Sequence, residues 1–349
     1  MTRKLALGIL LYADYSLAEL AELGTLCEEL GYQMFWYTDV RFGRECYLGL
    51  ASVAAVTKRL RLGPGVSDPY TRHPAMTAST IATFDEMCNG RALLGLGVGG
   101  QGFPELGITR KLPVAALRET VESVRALLRG ERVDLDGKVI SLNNGKLTFQ
   151  PPRDSVPIYF ATHGAQVSKL AGKLADGVLI ANTLLPNMLS FYVDQIQDGM
   201  HTVGRTMDEF DLGLRIEACI SNNYEAAFNV MRKRMAARLI GQYPHWDYLK
   251  ELGVTLPKEF VDIAQKKDDS LAGDAAPFMP REVVDYTVLA GDAARCAEQL
   301  AGAVRPEVRS ITIRPHAAPG ESVKDVIRAF AEEVMPRVEK LVAERDSGI

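Results

Sequence analysis

The sequence predicts an α/β fold, a (β/α)8 TIM barrel with insertions, on three observations. Short apolar runs alternate with helical patterns along almost the whole chain; these runs number eight; and two of them end in glycine-rich stretches, Gly63-Pro64-Gly65-Val66 and Gly97-Val98-Gly99-Gly100. Parallel strands joined by helices place their carboxyl ends on one side, and in such a barrel that side carries the ligand. A doubly wound open sheet is the rival arrangement.

The elements follow in order. Leu5 to Leu11 is apolar, and Ser16 with Glu19 forms a capping box for a helix whose Leu20, Leu23, Cys27 and Leu30 recur at helical spacing. Although Arg3 and Lys4 precede that first run in the manner of a signal peptide, Asp14 and a helix start follow it, so it reads as a strand. Further runs stand at Met34 to Trp36, Leu60 to Gly63, Ala92 to Leu96, Pro157 to Phe160, Gly177 to Ala181, Leu212 to Ile216 and Ser310 to Ile313. Pro74 suits the first turn of the helix between the third and fourth strands. The last helix, from about Ser322, carries Ile327, Phe330, Val334, Val338 and Leu341 as an apolar stripe. The whole of residues 1–349 reads as one domain with two insertions. In the first, about 132–150, Asp136-Gly137 and Asn143-Asn144-Gly145 suggest small hairpins. The second, about 241–280, mixes Tyr243, Trp246 and Tyr248 with charges and reads as a lid or a subunit contact.

Composition removes several functions. With 349 residues, 47% of them hydrophobic, the chain can bury a substantial core. A net charge of -4 with interspersed signs offers no basic surface for nucleic acid. No segment is long enough to span a bilayer, so no membrane partner is expected. Five scattered cysteines without paired spacing argue against a disulfide framework and for a cytoplasmic location. HExxH, clustered Cys/His, GxSxG and GxxxxGK[ST] patterns are all absent from the sequence, so a metal site, a nucleophile elbow and a P-loop lack support.

The pattern LGPGVSDPYTRHPAMTASTIATFDEMCNGRALLGLGVGG over residues 62–100 resembles the luciferase-like superfamily of flavin- and deazaflavin-dependent oxidoreductases. Within it the chain is most similar to methylenetetrahydromethanopterin reductases, through Gly107 and Ile108, residues 161–165 and residues 170–180, and the similarity fades after Ile220. The resemblance implies a barrel that binds coenzyme F420 or FMN at the carboxyl ends of its strands, acts on a small-molecule substrate and forms a homodimer. It implies a cis peptide between Gly65 and Val66 supporting the ring, with Gly97 and Gly99 in the neighbouring wall. It also assigns a phosphate group to His163, Gly164, Ala165 and Gln166, where a helix start offers backbone amides, and places Ala181 and Asn182 beside it.

Thr38-Asp39 matches a Thr-Asp-His signature of the deazaflavin enzymes and makes Asp39 the candidate catalytic contact. Val40 stands where the signature has histidine, and Leu10 where the similar reductases tend to have glutamate near the ring. The expected activity is hydride transfer, reductase-like; the alternatives are an FMN-dependent monooxygenase using oxygen and a noncatalytic flavin-binding paralogue. Smaller expectations attach to other residues. His73 belongs to a helix start, Asp176 to a turn, and Asp85, Glu86 and Arg91 to ion pairs away from the rim. Gln101 and Phe103 are expected beside ring or substrate, Arg314 and His316 near the rim, and Tyr12, Phe103, Tyr243 and Trp246 in either a pocket or the core.

Overall fold

The computed structural model describes residues 4–100, 102–162, 164–246, 249 and 253–347. Strand β1 (Ala6–Leu11) leads into helix α1 (Leu17–Glu29), which opens with the Ser16/Glu19 capping box. The same alternation continues through β2 (Met34–Tyr37), α2 (Cys46–Val56), β3 (Arg61–Pro64), α3 (Pro74–Met87), β4 (Leu94–Leu96) and α4 (Pro113–Leu128). After the hairpin β5 (Val133–Asp136) and β6 (Ser141–Gly145) come β7 (Ile158–Thr162), α5 (Ala165–Leu174), β8 (Gly177–Ala181) and α6 (Pro186–His201). The last strands are β9 (Asp211–Ile220), β10 (Leu289–Gly291) and β11 (Val308–Pro315), with α7 (Tyr224–Gln242) after β9.

Backbone contacts divide the chain into two compact units, Ala6–Ala181 with Tyr192–Gly213, and Met1–Leu5 with Asn182–Phe191 and Leu214–Ile349. In the unit that begins at Ala6, parallel strands follow one another in chain order. Gly8 pairs with Met34, Met34 with Arg61, Leu94 with Ile158, and Tyr159 with Gly177. Isolated bridges Leu62 to Ala92 and Ser67 to Leu96 join β3 to β4. Leu10, Met34, Trp36, Leu93, Tyr159 and Leu179 form a buried cluster, in which the Trp36 and Tyr159 rings meet edge to face at 5.2 Å. The expected strand start at Ala92 thus moves to Leu94, because Ala92 contributes only a bridge.

Two carboxylates, Glu119 buried and Glu28 half-buried, tie distant segments of this unit together. Glu119 of α4 accepts the backbone N–H groups of Lys138, Val139 and Ile140, each at 3.0 Å, and so seats the hairpin turn on the helix. Glu28 does the same for Lys58, Arg59 and Leu60. Burial works to raise both carboxyls, but the amides together outweigh it and hold each below the usual carboxylate range. A carboxyl held low in the folded state contributes stability above its unfolded pKa of about 4.3, and that contribution is lost as pH falls through the folded value. Acid unfolding monitored by circular dichroism is therefore expected to show a shallower pH dependence below about pH 4.5 in Glu119→Gln than in the parent protein.

Three sequence expectations are corrected. The first insertion holds one hairpin, not several. Asn143-Asn144-Gly145 lies within β6, where Asn144 takes a left-handed φ of 50° and its N–H donates to Asp134 Oδ1 at 2.6 Å. The last helix runs Val323–Ala329, passes through a π turn at Phe330–Val334, and resumes at Met335–Ser347. Ile327, Phe330, Val334 and Val338 are buried as expected, and four residues further on Val342 is buried where Leu341 was expected. β9 also runs on to Ile220, four residues beyond the expected end at Ile216.

In the unit containing β10 and β11, helix α7 anchors the second core. Met231, Met235, Ala236, Leu239 and Ile240 pack with Phe260, Ala264, Ala275 and Met279 from the second insertion. Trp246 donates its indole N–H to Leu239 O at 2.8 Å, and its ring meets Tyr243 at 5.2 Å, so both aromatics belong to this core. Tyr248 lies outside the described residues. The five cysteines are free and buried. Among the described residues no helix is long and apolar enough to cross a membrane, and no group of three or more His, Cys, Asp or Glu is arranged to hold a metal.

Candidate functional site

A cavity of about 800 Å³ opens at the carboxyl ends of the strands in the unit that begins at Ala6. Successive strands each contribute to its lining: Tyr12 and Ala13 after β1, Thr38, Asp39 and Val40 after β2, and Gly65 and Val66 after β3. Gly97, Val98 and Gly99 follow β4, and Ala161, Thr162 and Gly164 close the series at β7.

The floor depends on small residues. The Gly65–Val66 peptide is cis, and Gly65 N–H donates to Tyr37 O at 2.8 Å. Beside it Gly97 N–H donates to Ser67 O at 2.9 Å, and a Cβ on Gly97 would stand 2.7 Å from Val66 Cγ2. Bare backbone thus forms the surface that a flat ligand meets. Leu10 lies behind Gly65, its Cδ1 3.0 Å from where a Cβ would be, so the apolar residue that replaces the expected glutamate is part of the core cluster.

One wall is the start of α5. Gly164 is its N-cap, in extended conformation, with no side chain capping the first turn, and a Cβ there would meet nothing within 4 Å. The first-turn amides of a ten-residue helix thereby form an anion cradle with the positive end of the helix dipole. Gly164 and Val167 line the cavity, while Ala165 and Gln166 supply the turn between them. His163 and Gln101 lie outside the described residues.

Asp39 is gripped from two sides. Its carboxylate accepts Ser67 Oγ at 2.6 Å, Arg72 Nε at 2.7 Å and Arg72 Nη2 at 3.3 Å. Arg72 reaches on to Glu45 and stacks 5.0 Å over the Tyr47 ring. A carboxylate held in this way is an oriented acceptor. Next to it the buried Thr38 hydroxyl has no hydrogen-bond partner among the described residues, a polar atom on the cavity wall left for a ligand.

Other expected residues fall elsewhere. Phe103 is buried behind the wall, stacked by Arg41 at 4.3 Å and met edge-on by Tyr70. Ala181 and Asn182 are not among the lining residues, because Asn182 turns through a left-handed φ of 52° to donate to Arg215 O and accept from Glu217 N–H. Asp176 accepts Ile158 N–H and Arg125, and His73 caps α3 through Nδ1, as their positions suggested. Asp85, however, pairs with Arg153 at 2.6 Å, while Arg91 holds the carbonyls of Cys88, Leu60 and Thr57. Ser67 and Arg72, the grip on Asp39, escaped sequence reading because no spacing links them to it.

The comparisons agree with this geometry. Residues 6–310 match the luciferase-like monooxygenase family. The chain is 31% identical to the 5,10-methylenetetrahydromethanopterin reductase of Archaeoglobus fulgidus over 335 residues, 95% of this chain and 99% of that one. It is 26% identical to an F420-dependent glucose-6-phosphate dehydrogenase of Nakamurella multipartita over 94% of both chains. The structure of the coenzyme F420-dependent tetrahydromethanopterin reductase of Methanopyrus kandleri superimposes with a TM-score of 0.86 at 26% identity, covering 96% of this chain and 99% of that one. The fold is therefore the expected (β/α)8 barrel, and the chain belongs to the luciferase-like monooxygenase family of oxidoreductases.

Proposed function

We propose that this enzyme is an F420-dependent oxidoreductase that passes a hydride between the deazaflavin and a small organic substrate, in the manner of a methylenetetrahydromethanopterin reductase. The observation that carries the reading is the cavity itself, with a bare Gly65–Val66 floor, an uncapped helix start at Gly164 and an unpartnered Thr38 hydroxyl on one lining. The similarity to the F420-dependent reductase over nearly the whole of both chains supports the deazaflavin over FMN. Bound F420 supplies a ring carbon that gives or takes hydride.

The protein's part is positioning. Gly65 and Val66 back one ring face, Gly97 and Gly99 form the adjoining wall, and Gly164, Ala165 and Gln166 meet a phosphate oxygen with helix amides. Thr38 gives a hydrogen bond, and Asp39, fixed by Arg72 and Ser67, accepts one. Val40 carries no proton, and Leu10 is sealed in the core, so neither position is an acid or base. That favours hydride transfer to an already electrophilic carbon over oxidation of an alcohol, which needs a proton acceptor.

Binding followed by F420 fluorescence and flavin absorbance tests the reading. F420 is expected to bind and, once reduced, to be reoxidised by an electrophilic acceptor such as an iminium-bearing pterin. Tight FMN binding with no F420 binding would sink the assignment, and oxygen uptake with reduced FMN would then mark a monooxygenase.

The proposed assembly is a homodimer. α2 carries no charged residue, and Leu48 and Val56 on it, with Met76 and Met87 on α3, are 49–62% exposed. Large exposed apolar side chains on these two helices suit a second copy of the chain. Analytical ultracentrifugation is expected to show a dimer that Leu48→Glu with Met76→Glu converts to monomer; a monomeric parent protein would refute it.

A further inference from the structure

In the unit containing β10 and β11 the clustered charges engage one another. Arg234, His316 and Arg215 meet the buried Glu217 carboxylate at 2.6, 2.9 and 3.3 Å, with Arg314 and Arg238 at 3.8 and 3.9 Å. The side chain that stands out for its lack of contacts lies in the unit that begins at Ala6, and it is apolar. Phe42 lines the cavity yet is 74% exposed, more than any other large apolar side chain among the described residues. Its ring meets neither another aromatic ring nor a guanidinium among the described residues.

The backbone holds that ring in place against its own preference. Gly43 N–H donates to Val40 O at 3.3 Å, closing a four-residue turn whose third residue, Phe42, takes a left-handed φ of 61°. Glycine or asparagine is favoured at such a position, because a Cβ there crowds the backbone. The glycine stands one residue later, where a Cβ on Gly43 would lie 2.5 Å from Val40 Cγ2 and 2.9 Å from Ala13 Cβ. Neighbours on both sides anchor the turn. Arg41 Nη1 donates to Asp68 Oδ2 and to Asp39 O, each at 3.2 Å, while its guanidinium stacks on Phe103, and Arg44 Nη1 donates to Asp14 O at 3.0 Å. Gly102 lets the loop after β4 lie close, since a Cβ there would stand 2.9 Å from Arg41 Cβ and 3.8 Å from Phe42 Cδ2. A phenyl ring left this open gives folding little apolar burial. Left-handed non-glycine residues persist where the surroundings over-determine them, and they gather at ligand clamps.

We propose that Phe42 is a substrate-binding residue, an aromatic platform on the cavity lining that selects a substrate with a flat, conjugated ring by stacking on it. This rests on the hydride-transfer reading above and adds what that reading leaves open, the shape of the substrate. A phenyl ring stacks offset on a flat π system over most of its face, whereas a saturated ring or an open chain covers it only in part. The anchored turn sets the platform before the substrate arrives, so little conformational freedom is lost on binding.

Calorimetric titration of the full-length protein with xanthopterin, a flat conjugated probe, tests it, both with F420 bound and on the cofactor-free protein. Binding is expected. Phe42→Gly is expected to weaken it roughly tenfold, Phe42→Leu to weaken it nearly as much because leucine has apolar bulk but no ring face, and Phe42→Tyr to restore it. Phe42→Gly is also expected to melt no lower than the parent protein, since glycine accepts the left-handed φ and little buried apolar area is lost. A residue of merely structural role would instead lower the melting temperature along with the binding, and that result would count against the proposal. F420 affinity is expected to be unchanged in all three variants. Failure of the deazaflavin reading therefore shows as no F420 binding by the parent protein, while the titration of cofactor-free protein still decides the role of Phe42. No xanthopterin binding by the parent protein under either condition, or equal binding in the parent and in Phe42→Gly or Phe42→Leu, would overturn the proposal. So would a Phe42→Gly protein that sediments as a monomer where the parent is a dimer, since the ring would then belong to a subunit contact.

Discussion

Gly97→Val is expected to weaken F420 binding and to slow hydride transfer by on the order of a hundredfold while leaving the protein folded, because a misplacement of about 1 Å at a positioned reaction centre costs that much in rate. The added Cβ would stand 2.7 Å from Val66 Cγ2, and its methyl groups would occupy the cavity floor. Val66 can give way only by moving off its own place beneath the ligand, so either adjustment raises the surface on which a planar ring rests. Gly164→Ala is the matched control for stability, since a Cβ there meets nothing within 4 Å. Fluorescence titration of both variants checks the difference; unchanged affinity in Gly97→Val would show that this floor does not carry the ring.

Asp85→Ala is expected to cost about 3 kcal/mol of stability, the scale for breaking a buried hydrogen-bonded ion pair. Asp85 is buried, and Arg153 binds both of its oxygens, Nε at 2.8 Å and Nη2 at 2.6 Å, while Ala92 N–H donates to it at 3.0 Å. Removing the carboxylate leaves the Ala92 amide without its acceptor, while Arg153 keeps its hydrogen bond to Ala92 O at 3.2 Å and is open enough to water to recover part of its loss. Urea unfolding at neutral pH measures this, and a loss under about 1 kcal/mol would show that water replaces the carboxylate.

Much of the fold was legible because its signals are local. Eight of the strands are read from their own residues, as are the Ser16/Glu19 box and Pro74 at the start of α3. β10 was not legible: Leu289 to Gly291 follows directly on the helix ending at Thr287 and does not stand out from it, and it becomes a strand by pairing with Ala218 to Ile220. Asn143-Asn144-Gly145 reads as a turn by propensity, but Asp134 and Arg132 hold Asn144 within the hairpin. The last helix keeps its apolar stripe through the π turn as far as Val338, and only its final turn buries Val342 in place of Leu341.

The sites divide the same way. Bare backbone at Gly65 and Gly97 and an uncapped helix start at Gly164 are properties of residue type, so sequence and resemblance together point to the cavity. The grip on Asp39 is not, since Arg72 and Ser67 are 33 and 28 residues away, and the loops after β2 and β3 meet only in the folded chain. The Glu217 cluster makes the point most fully. Arg314 and His316 stood out at a strand end, but no spacing links them to Glu217, Arg234 or Arg238, which meet them only in the folded chain. By itself the sequence determined the alternation of elements, the glycine-rich strand ends and the family. Tertiary structure alone decided which charges share a carboxylate, because ion pairing depends on distance in space and burial, and neither is carried by any periodicity of the chain.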